Sequence, residues 1–257
     1  MTDILRRKQD HIDLSLHSGS QIASTGRQFK DYRLPHRALP EVDFSAIDLS
    51  IQCLSKTLKA PFLISSMTGG LESGATINRH LAEAAQELGI GMGLGSQRIT
   101  IERPETLASF QVRDVAPDIL LLANLGAVQL TLGYGVNECL QVIKSVGADA
   151  LYLHLNSLQE AVQPGGDTQF VGVTQRIREV ANSLTYPVLV KECGNGIDGE
   201  SAMALKLSGV KGLDVSGHGG TSWGWIEAQR HPTARLQRLG ETFAQWGIPT
   251  PLAIQQC

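Results

Sequence analysis

The chain carries small groups of polar residues of the types that bind anions, cations and planar rings. A cluster of cations comes first: Arg7, Lys8 and His11, then Lys30, Arg33 and Arg37. Arginine offers a bidentate fork and lysine a point charge, a pair suited to gripping a diphosphate. The same charges could equally form a solvated arm, and the spacing alone leaves both readings open. Further on stand Ser66-Met67-Thr68-Gly69-Gly70, Gly95-Ser96-Gln97-Arg98, Asn124, His154 to Glu160, Lys191-Glu192, and Ser216 to Trp223. Each group is weak alone, because a polar residue at the end of an apolar run is more often a helix cap than a ligand. Lys191 stands out, since it ends the apolar run PVLVK and buried lysines are rare unless paired.

Each group follows a short apolar run. The runs are 61–67, 90–96, 118–124, 150–156, 187–192 and 212–217. Continuous apolar stretches of this length read as strands covered on both faces, as in parallel sheets. Between them, 77–88, 136–147 and 173–184 show helical periodicity, and Gly89, Gly147 and Gly209 fall where helices end. Run starts lie 25–37 residues apart, the length of a βα unit. With every polar group at a C-terminal strand end, a (β/α)8 barrel is the preferred fold and a doubly wound sheet the alternative. Only six of the eight units are visible, and after Gly217 the chain reads as one long loop followed by helical 233–246 and 251–257, so the expectation is a C-terminally shortened barrel. Residues 1–59 are expected to form an arm, without strands, that contributes to the anion site; 60–257 form the incomplete barrel.

Composition narrows the class. The chain has 257 residues, 42% of them hydrophobic and 18% charged, with a net charge of −3. A core of ordinary size follows, and a basic nucleic-acid footprint is excluded. Cys53, Cys139, Cys193 and Cys257 form no CxxC pair, which points to a reducing cytoplasm rather than a zinc or disulfide scaffold. No run reaches the length of a membrane span and the N-terminus lacks a secretory apolar region.

Taken together, the motifs RKxxH (Arg7 to His11), SMTGG, GSQR, HLNxLQE, VKE followed by Gly194-Asn195-Gly196, and SGxGGTSW resemble the type 2, flavin-dependent isopentenyl-diphosphate isomerases. They run in the family's order from Arg7 to Trp223, and WGIPT (Trp246 to Thr250) continues the match. The resemblance implies an FMN-binding barrel, Mg²⁺, and NADPH as reductant. Its reaction is a 1,3-proton shift between isopentenyl and dimethylallyl diphosphate. It implies substrate contacts from Arg7, Lys8, His11, Ser96, Gln97, Arg98, Asn156 and Gln159, and Mg²⁺ on Glu160. Flavin contacts would come from Ser66, Met67, Thr68, Gly69, Ser96, Asn124, Lys191, Ser216 and Thr221. Catalytic roles would fall to Gln159, His154 and Lys191, and a homo-oligomer is the family's habit.

Three positions depart from the family pattern: Ser157 where proline is usual, Cys193 for valine, and His218 for a small residue. The loops that would grip a flavin phosphate after strands 7 and 8 have no counterpart in the visible units. The alternatives are a non-catalytic remnant of the same enzyme and another FMN-dependent barrel oxidoreductase.

Overall fold

The computed structural model describes residues 3–22, 26 and 28–257. After helix α1 (Asp3–Ser15) comes an antiparallel hairpin, β1 (Ile51–Cys53) and β2 (Lys56–Leu58). Six βα units follow. They are β3 (Leu63–Ile64) with α2 (Glu72–Leu88), β4 (Gly91–Gly93) with α3 (Arg98–Glu102), and β5 (Leu121–Gly126) with α4 (Val136–Val146). Next are β6 (Ala150–His154) with α5 (Ser157–Val162) and α6 (Val173–Ser183), then β7 (Val188–Lys191) with α7 (Gly199–Leu207), and β8 (Leu213–Asp214). Helices α8 (Trp223–Gln229), α9 (Ala234–Thr242) and α10 (Thr250–Gln256) close the chain.

The six strands β3 to β8 form one parallel sheet in sequence order, as a (β/α) barrel requires and a doubly wound sheet does not. Among the described residues nothing pairs β3 with β8, so these two are the edges. Alternation along the strands separates two cores. Leu121, Ala123, Leu125, Leu151, Leu153, Val188 and Val190 point outward, onto Ala82 and Ala85 of α2, Val142 and Ile143 of α4 and Ile177 of α6. Leu120, Leu122, Ala150 and Tyr152 point inward. Each outward leucine buried in this way contributes about 1.5–3 kcal/mol. Gly89 and Gly147 end α2 and α4 in the left-handed conformation expected of them, while Ser208 caps α7 one residue before Gly209.

Two expectations fail. Strands do occur before residue 60: in the hairpin, Leu54 and Leu58 fold over the inward cluster of Leu120, Leu122, Ala150 and Tyr152 and cover one end of the sheet's inner face. The run IQCLSKTL has no glycine or asparagine at its turn, and Leu54 itself takes the left-handed conformation (φ 53°), so the usual turn signal is missing. The segment after Gly217 is also more helical than expected. Ser222 caps α8, accepting from the Trp225 N–H and donating to the Ala244 carbonyl, and turns the glycine loop into a helix at Trp223.

Register places the chemistry. Gly126, His154, Lys191 and Asp214 are level neighbours across β5, β6, β7 and β8, at the C-terminal end of the sheet. Helix α1 crosses that end and packs on α8.

Candidate active site

A cavity of about 870 Å³ opens at the C-terminal strand ends, beneath α1. That is ample for a drug-sized ligand and leaves room for a second group. Ser66, Met67 and Thr68 enter it after β3, Ser96 and Arg98 after β4, and Asn124 from β5. His154, Asn156, Gln159 and Glu160 enter from the end of β6, Lys191 from β7, Ser216 and Thr221 after β8, and Arg7, Lys8 and His11 from α1. The structure therefore gathers sixteen of the anticipated residues around one space.

The remaining anticipated residues lie elsewhere. Gln97 is fully buried away from the cavity, donating to the Val142 carbonyl of α4 and accepting from the Asn124 N–H. Ser96 and Arg98 face the cavity, and the residue between them points into the layer of strands and helices. Gly69 lies behind the rim, where a Cβ would meet the Phe110 ring at 2.1 Å. Lys30, Arg33 and Arg37 are exposed and line no part of the cavity.

Three polar assemblies build the interior. In the first, His154 Nδ1–H donates to Asn124 Oδ1 (2.7 Å), and Asn124 Nδ2 donates to Ser66 Oγ (2.9 Å). Burial, with the charges of Lys191 and Lys8 beside it, lowers the His154 imidazole to about 3. It is neutral at physiological pH, and with the proton on Nδ1 toward Asn124, Nε2 is the acceptor nitrogen. The second is at Lys191, which is buried, makes no ion pair among the described residues, and donates to the Glu192 carbonyl (2.5 Å). The Glu192 carboxylate turns away and accepts backbone N–H groups from Cys193, Gly194, Asn195 and Gly196, which sets the loop after β7.

The third assembly centres on Glu227 of α8, which the sequence reading did not identify. Its fully buried carboxylate accepts from His11 Nε2–H (2.8 Å), Gln159 Nε2 (3.1 Å) and Arg230 Nη1 (2.6 Å). Burial pushes this carboxyl up, but the His11, Gln159 and Arg230 contacts outweigh it and hold it below its usual range. Burial also lowers His11, so the pair is a neutral imidazole on a carboxylate. Asp10 of α1 completes the node, accepting from Arg230 Nε (3.2 Å). The one local signal was a glutamate inside the otherwise apolar WGWIEA stretch.

Beside Gln159, the Glu160 carboxylate accepts from Asn156 Nδ2 (3.0 Å), Gln163 Nε2 (3.1 Å) and the Asp167 N–H (2.8 Å). Burial pushes it up from its ordinary value. Among the described residues no group of three or more His, Cys, Asp or Glu side chains could hold a metal. A cation on Glu160 would therefore need most of its ligands from a bound anion. Lys8 is lowered to about 8 by burial and by Arg7.

The donor set suits a flavin ring. A buried ammonium without a carboxylate, a neutral imidazole and the buried, unpartnered Asn156 Oδ1 all border the cavity. Ser216 and Thr221, with the open Gly219-Gly220 backbone, offer hydroxyls and N–H groups for a phosphate tail.

Comparison with known proteins agrees. Residues 3–117 match the FMN-dependent dehydrogenase family. The isopentenyl-diphosphate delta-isomerase of a Nostoc species is 48% identical over 244 residues, covering 95% of this chain and 70% of that protein. That of a Synechococcus species is 50% identical over 251 residues, covering 98% and 72%. The same-named protein of Rickettsia bellii is 48% identical over 250 residues, covering 97% and 72%. At this identity and coverage, the chain belongs to the isopentenyl-diphosphate delta-isomerase family.

Proposed function

We propose that this chain interconverts isopentenyl diphosphate and dimethylallyl diphosphate on reduced FMN, with Mg²⁺ on the diphosphate and NADPH as the source of electrons. The observation that carries this reading is the placement of α1. It lays Arg7, Lys8 and His11 over a cavity that already holds Arg98, Glu160 and the isolated Lys191. Residues 1–59 then supply part of the diphosphate site and 60–257 the barrel that holds the ring.

The conversion adds a proton to the terminal methylene carbon and removes one from the carbon two bonds away, with no net redox change. Reduced flavin supplies that acid–base chemistry when bound. The protein's part is to hold and to exclude. Arg7, Lys8 and Arg98 grip the diphosphate, and Glu160 completes the shell of Mg²⁺, which favours a carboxylate combined with phosphate oxygens. Gln159 is held at both ends, donating to Glu227 and accepting from Asn156 Nδ2 (3.2 Å), so its amide faces the hydrocarbon in one orientation. Lys191 places positive charge beside the ring, which favours the anionic reduced form. Neutral His154 presents Nε2 without adding a second cation.

Four unpaired cysteines among the described residues accord with a reducing cytoplasm. No described helix is long and apolar enough to cross a membrane. Exposed Leu34, Leu39, Val42 and Phe44 give a surface on which copies of the chain could assemble. The test is to incubate the chain with FMN, dithionite, Mg²⁺ and isopentenyl diphosphate and to follow the exo-methylene proton signal by NMR. Its loss, only while the flavin is reduced, is the expected result; no conversion with FMN bound overturns the proposal.

A further inference from the structure

Past Gln163, which lines the cavity, the segment between α5 and α6 lies outside it, yet it touches residues of three successive strand-end loops. Gln163-Pro164-Gly165-Gly166 turns so tightly that a Cβ on Gly166 would sit 2.0 Å from the Glu160 carbonyl oxygen. That turn delivers Asp167 to a position between elements. Its N–H donates to Glu160 Oε2 (2.8 Å). Its carboxylate accepts from Arg98 Nη1 (2.5 Å) and from Gln129 Nε2 (3.2 Å). Two residues on, the Gln169 carbonyl accepts from Thr131 Oγ1 (2.6 Å), which pins the segment to the turn after β5.

Arg98 has a second carboxylate partner. Glu102, one helical turn on and half exposed, accepts from Nε (2.7 Å). Glu102 holds the base of the guanidinium and Asp167 holds its tip. Without Asp167 the tip is free to swing outward toward Glu102, and ordering it again costs part of the binding energy of any anion. Asp167 lies behind Arg98 and does not line the cavity, so its contact with a ligand there runs through Arg98.

We propose that Asp167 is a positioning residue for the diphosphate site, aiming Arg98 into the cavity with its carboxylate while its backbone N–H fixes the Glu160 carboxylate. This rests on the reading of Arg98 and Glu160 as diphosphate and cation contacts. Anion and cation sites are then spaced by one residue on a turn stiffened by Gly166.

The test is a double-mutant cycle on Mg²⁺–inorganic pyrophosphate affinity, measured by calorimetry on the FMN-loaded chain. Asp167→Asn keeps the N–H to Glu160 and removes the charge on Arg98, so affinity should fall about tenfold, the scale of one charged hydrogen bond. In an Arg98→Ala background the same change should alter affinity less than about twofold, because the group it acts through is gone. Asp167→Glu, which restores the charge, should recover part of the loss, and the thermal midpoint with FMN reports whether each variant is folded. Unchanged affinity in Asp167→Asn, or an equal loss in the Arg98→Ala background, overturns the proposal. Wild-type protein that binds FMN but no pyrophosphate instead overturns the diphosphate reading on which it rests.

Discussion

At the scale of single residues, the site is set by groups held away from their ordinary charge state or deprived of ordinary partners. Lys8 carries the clearest consequence. Lowered to about 8, it is a cation below that pH and neutral above it. Lys8's contribution to isopentenyl diphosphate affinity should therefore be complete below pH 7 and be lost as pH rises past about 8; Lys8→Arg should remove this alkaline limb, since a guanidinium stays charged. His154 should add no such limb, because its imidazole is neutral down to about pH 3. Glu227 is the buried carboxylate on which His11, Gln159 and Arg230 converge. Glu227→Ala removes the carboxylate that His11, Gln159 and Arg230 share and leaves Asp10 as Arg230's remaining partner, which should cost about 1–3 kcal/mol in urea unfolding.

At the scale of elements, two kinds of stability follow from how the pieces are attached. The outward strand faces and the helices over them form the main core, and Ile143→Ala in α4 should cost about 2–5 kcal/mol in the same measurement. Helix α1 packs Ile4 and Leu5 against that core and is held in addition by His11 on Glu227, Asp10 on Arg230 and Lys8 on the Ser96 carbonyl. His11→Ala should raise hydrogen exchange along α1 and leave β5 and β6 as protected as before. These elements differ as well in how plainly the sequence announces them. The long runs of β5 and β6 are fully covered and were legible as apolar strings. In β3 and β8, the two edges of the sheet, the same string length yields only two paired residues each. The hairpin at 51–58 was hidden by its ordinary turn residues. Strand-end site residues were legible because they follow apolar runs. Glu227 and Asp167 were not, because their meaning lies in contacts to chain segments 216 and 69 residues away. Gln97 misled for the opposite reason: it shares a motif with Ser96 and Arg98 but points the other way.

At the scale of the whole molecule, a curled six-stranded parallel sheet turns a linear series of strand ends into one concave surface, and α1 makes it a cavity. In the proposed reading, cations from α1 and from the loop after β4 serve the anion, while the neutral imidazole of β6 and the ammonium of β7 face the ring. One chain segment would thus bind two ligands through separate sets of residues. The most direct measurement is a paired titration of FMN and Mg²⁺–pyrophosphate into the wild type, Arg7→Ala/Lys8→Ala, and Lys191→Ala. The first variant should lose pyrophosphate binding and keep FMN, and the second should weaken FMN about tenfold or more and keep pyrophosphate. Loss of both ligands in each variant, or of neither, would contradict a cavity divided in this way.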